Sequence, residues 1–66
     1  MEVKVNGKWQ AFPDGTTVAG LLDAIGAARP GVAVALDGVV VRRGEWAEVV
    51  VPAGASLEIL TAVQGG

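Results

Sequence analysis

Two of the three Asx-Gly dipeptides, Asn6-Gly7 and Asp37-Gly38, constrain this chain more than anything else in it. A type I′ turn needs positive φ at both central residues, and Asn-Gly and Asp-Gly are the pairs that accept it. Each dipeptide sits between segments of strand character. Val3 and Val5 alternate with Glu2 and Lys4 before the first, and Lys8 to Phe12 returns after it. Val32 to Leu36 precedes the second, and Val39 to Val41 follows. The period-two pattern and the turn chemistry together predict two β-hairpins.

Between the hairpins lies the only helical pattern. Val18, Leu21, Leu22 and Ile25 fall at i, i+3, i+4 and i+7, one apolar stripe. Pro13-Asp14-Gly15 ends the preceding strand as a turn, Thr17 or Thr16 is placed to cap the helix, and Gly26 is placed to stop it. The nearly all-apolar run from Val32 to Val41 is what a central strand, or one covered on both faces, shows. Arg42 to Glu48 reads as irregular around Trp46, Val49 to Val51 as a short strand or extended edge stopped by Pro52, and Leu57 to Val63 as the last strand. One helix on one face of a mixed four- to five-stranded sheet is an α+β arrangement. If the first and last strands pair in parallel at the centre, the layout is a β-grasp (ubiquitin-like) fold; a small barrel of similar strands satisfies the same pattern.

The chain has 66 residues, which is one small domain, expected over residues 1–63 with a flexible tail at 64–66. Hydrophobic residues make up 52%, too many for a disordered chain. There is no Cys and no His, so a disulfide is excluded and a metal site is not expected. Net charge is −2 and the five basic residues are scattered, so no basic stripe is available for nucleic acid. No apolar stretch approaches bilayer length and no signal segment opens the chain, which reads as soluble and cytoplasmic. Trp9 and Trp46 are expected to cap the core with their indole N–H groups on carbonyls. Arg42-Arg43 is expected as a solvated turn.

With so little reactive chemistry in the side chains, the group that stands out is the α-carboxylate of Gly66, behind Gln64 and Gly65. A glycine pair lets bare backbone enter a narrow channel, because no Cβ obstructs it.

Asn6-Gly7, the Asp14-Gly15-Thr16-Thr17-Val18 entry with Leu21-Leu22, the strand Val32 to Leu36, the Trp46 segment, and Leu57-Glu58-Ile59 running to Gly65-Gly66 together resemble the ThiS family. ThiS proteins are β-grasp sulfur carriers of thiamin biosynthesis, and the resemblance covers essentially the whole chain. It implies that a ThiF-type, E1-like adenylating enzyme uses ATP to activate the Gly66 carboxylate. Sulfur from a cysteine desulfurase then converts it to a thiocarboxylate, and a ThiG-type thiazole synthase takes that sulfur into the thiazole ring. The carrier itself would bind no cofactor or metal and would not be an enzyme. The chain departs from the family at Gly54-Ala55-Ser56, where an acidic residue usually follows the glycine. Ser56 offers a weaker form of the same local bond.

Leu60 should point away from Leu57 and Ile59, and an outward Leu there is the candidate for partner docking. Other readings share the pattern: the small subunit of molybdopterin synthase, a ubiquitin-like modifier or tRNA-thiolation carrier, and, in a different class, a non-catalytic interaction module.

Overall fold

The computed structural model describes residues 1–61. Its strands are β1 (Glu2–Val5), β2 (Lys8–Ala11), β3 (Val32–Leu36), β4 (Val39–Val41) and β5 (Ser56–Thr61), with one α-helix, α1 (Val18–Ala24), and a 3-10 turn at Arg43–Glu45. They form a single mixed sheet in the order β2-β1-β5-β3-β4. β1 runs parallel to β5, and the other neighbours are antiparallel. The β-grasp arrangement is thus realised, with β5 joining the two hairpins.

Both predicted turns have the geometry their residues dictate. Asn6 and Gly7 take φ of 49° and 86°, Asp37 and Gly38 49° and 84°. The helix ends are equally explicit. The Thr17 hydroxyl accepts from the Gly20 N–H at 3.1 Å, Val18 N–H donates to Val49 O and Ala19 N–H to Trp46 O, so the orphan donors of the first turn are all used. At the other end Gly26, with φ of 73°, donates to Asp23 O while Ala27 N–H donates to Leu22 O, a Schellman closure.

The apolar stripe of α1 packs on one face of the sheet. Val18, Leu21 and Leu22 are buried with Val3, Val5, Val34, Val41, Val51 and Leu57. Trp46 joins them at 5% exposure, its indole N–H donating to Val41 O at 2.9 Å.

Three expectations fail in informative ways. Val49 to Val51 is not a strand: Val50 makes one isolated bridge with Thr17, because this segment spends its backbone groups on the start of α1. The apolar character of β4 does not reflect double coverage, since β4 is an edge strand with Val39 and Val40 both exposed. Trp9 caps no core; it is 57% exposed on β2, with the Lys4 ammonium 5.9 Å from its ring centroid. Arg43 also differs from a purely solvated residue. Its guanidinium stacks 4.7 Å from the Trp46 ring centroid and donates to Arg29 O.

Candidate functional site

Gln64, Gly65 and Gly66, on which the sequence reading centres, lie outside the described residues, as do Ala62 and Val63. The structure instead defines the platform from which they follow, the end of β5 and the sheet face around it.

Strand register decides which side chains share that face. Ala33 stands opposite Leu60, Ala35 opposite both Glu58 and Val40, and Lys4 opposite Trp9. Leu57 and Val34, one position out of phase, are buried against α1, so this second set points the other way. Leu60 is therefore outward, 69% exposed, as the alternation predicted. Val40 is 71% exposed on the same face, and the small Ala33 and Ala35 between them leave a shallow apolar strip across β5, β3 and β4.

The two hairpin turns do a second job that the sequence does not announce. β1 pairs with β5 only as far as Leu57, then turns away at Asn6. Asn6 N–H donates to Leu57 O at 2.9 Å, and its carboxamide continues the ladder: Ile59 N–H donates to Asn6 Oδ1 at 2.8 Å and Asn6 Nδ2 to Ile59 O at 3.3 Å. On the other side Asp37 N–H donates to Ser56 O at 2.8 Å, and Ser56 N–H to Asp37 Oδ1 at 2.8 Å. Asp37, rather than the Ser56 hydroxyl, thus supplies an acidic partner at the turn into β5. An Asx-Gly dipeptide in a two-residue hairpin predicts a left-handed Asx residue with a free polar side chain; which strand that side chain meets follows only from the sheet order.

Among the described residues no three His, Cys, Asp or Glu side chains gather as metal ligands, and no pocket indents the surface. With the first-turn amides of α1 already engaged, its N-terminus offers no anion site. No described helix is long and apolar enough to cross a membrane. The described surface thus carries an exposed apolar strip and no cavity.

The fold and this face define a ubiquitin-like β-grasp domain. The ThiS family model matches residues 3–66, and the chain belongs to the ThiS family. It is similar to the crystal structure of thiamine biosynthesis protein ThiS from Geobacter metallireducens, at 32% identity and a TM-score of 0.86, with both chains fully covered. An NMR structure of a thiamine biosynthesis protein from Geobacter metallireducens, also 32% identical, gives 0.77 over 100% of this chain and 88% of the other. No curated protein matches the sequence.

Proposed function

We propose that this protein is a sulfur carrier whose Gly66 carboxylate is adenylated and converted to a thiocarboxylate that supplies sulfur for the thiazole of thiamin. The observation that carries the reading is the family match, which extends through Gly65 and Gly66.

A carboxylate is a poor acyl donor because its leaving group would be oxide. Attack of the Gly66 carboxylate on the α-phosphorus of ATP releases pyrophosphate and leaves an acyl-adenylate. The terminal sulfur of a persulfide, formed when a desulfurase draws sulfur from cysteine, then attacks the carbonyl carbon and AMP departs. A thiol reductant cleaves the resulting acyl disulfide, itself ending as a disulfide, and the terminal thiocarboxylate remains. Acid, base and ATP site belong to a ThiF-type activating enzyme in the cytoplasm, and a ThiG-type thiazole synthase consumes the sulfur. Gln64 and Gly65 form the narrow lead into those active sites, since glycine adds no Cβ bulk. The carrier contributes a docking surface, for which the strip around Leu60 is the candidate; apolar patches of this kind on small domains mark partner contacts.

The test is intact-protein mass spectrometry after incubation with ATP, cysteine, a cysteine desulfurase, a ThiF-type enzyme and a thiol reductant. Replacement of one oxygen by sulfur at the C-terminal glycine supports the reading, and a chain lacking Gly66 should stay unloaded. An unchanged wild-type mass, under conditions that load an authentic carrier, rejects it in favour of an interaction module.

A further inference from the structure

We propose that Asn6 is a positioning residue for the reactive end, its carboxamide standing in for the residue of β1 that would otherwise lie opposite Ile59. The proposal rests on the carrier reading above and adds a device to it.

The geometry is particular to this position. In the parallel β1–β5 pair, Lys4 N–H donates to Ala55 O and Asn6 N–H to Leu57 O, so alternate residues of β5 turn their backbone groups toward β1. Ile59 is the next in that series. By then the chain of β1 has left the sheet through the Asn6-Gly7 turn, and the backbone has nothing left to offer. The Asn6 side chain presents one donor and one acceptor, as a peptide unit does, and satisfies both Ile59 groups across 53 residues of sequence. No other standard side chain combines this with an easy left-handed backbone: Asp accepts but does not donate when ionised, and Gly accepts the φ but has no carboxamide.

The consequence falls on the last two described residues. Among the described residues Leu60 and Thr61 pair on one side only, with Ala33 and Val32. On the other, Asn6 is the final hold before the chain passes to residues 62–66. A strand fixed from both sides at Ile59 has its height and direction set seven residues before Gly66. A reacting group misplaced by about 1 Å can lose on the order of a hundredfold in rate, and the Asn6 hold sets where the segment that carries Gly66 leaves the docked domain.

Two variants separate position from mere stability. Asn6→Gly keeps the turn and deletes both side-chain bonds, and Asn6→Asp keeps the acceptor alone. Both are measured at a temperature where circular dichroism shows them folded. With the ThiF-type enzyme, Asn6→Gly should lower kcat for adenylation about tenfold with KM within about twofold, since the docking strip is untouched. Asn6→Asp should fall between Asn6→Gly and wild type. In the free protein, the Ile59 amide should lose hydrogen-exchange protection and Thr61 should lose backbone order in Asn6→Gly, while Leu57 stays protected. An unchanged kcat, or an equal rise in KM with no change in kcat, overturns the proposal, as does retained protection at Ile59. If wild type itself is not adenylated, the carrier reading fails and this role fails with it, a result distinct from a loaded wild type with an equally active Asn6→Gly.

Discussion

Replacing Trp46 by Phe isolates what the indole does beneath β4. The ring is 5% exposed, packs in the same cluster as Val41 and Val51, and donates to Val41 O at 2.9 Å. The packing loss on removing the second ring is about 1–2 kcal/mol, between an Ile→Val and a Trp→Ala change. The hydrogen bond needs more care. The two-residue turn at Asp37-Gly38 makes Leu36–Val39 a bonded pair, so by alternation Val34–Val41 is bonded too, and Val41 O also receives the Val34 N–H. Phe therefore does not orphan that carbonyl, and only a net bond of about 0.5–1.5 kcal/mol is lost rather than a full desolvation penalty. The sum is about 1.5–3.5 kcal/mol, against a total stability of about 3–10 kcal/mol for a chain this size. In urea, with a slope of about 1 kcal/mol/M, the midpoint read by far-UV circular dichroism should fall by about 1.5–3.5 M. Trp9→Phe, at an exposed site, is the control and should cost under about 0.5 kcal/mol. A Trp46→Phe midpoint within experimental error of wild type, at unchanged slope, would refute the reasoning, as would equal costs at the two tryptophans.

Thr17→Ala removes the hydroxyl that caps α1 and should cost about 1 kcal/mol by the same urea measurement, with β-sheet content retained. Leu57→Ala, at the fully buried centre of β5, should cost about 3–5 kcal/mol and bring the domain close to its unfolding midpoint in buffer alone. Leu60→Glu should leave thermal stability within about 0.5 kcal/mol of wild type yet slow adenylation at least about tenfold. Unaltered loading kinetics would remove Leu60 from the docking surface.

The parts of this fold that were legible in the sequence are those specified within a few residues. Asn6-Gly7, Asp37-Gly38, Thr17 and Gly26 each dictate a local backbone geometry, and each adopts it. The Leu57/Ile59 against Glu58/Leu60 alternation likewise gave the orientation of Leu60, because period two admits only two faces. What failed depended on neighbours far away in the chain. Val49 to Val51 has strand composition, but the start of α1 claims its carbonyls and amides. Val39 and Val40 resemble a covered strand, yet the sheet order puts them at an edge. Trp9 and Trp46 are the same residue type with opposite fates: Trp9 lies on edge strand β2 and faces solvent, whereas Trp46 follows the turn at Arg43–Glu45 and enters the core cluster. The carboxamide of Asn6 could not be assigned to Ile59 before β5 was known to lie beside β1.

Because β5 alone bridges the hairpins, neither half can close its core during synthesis until that segment has emerged. Up to Ala55 the nascent polypeptide is two separate ribbons and a short helix, with Val3, Val5 and Val34 lacking their common neighbour. Completion of the globule and arrival of the segment leading to Gly66 are therefore one event in time.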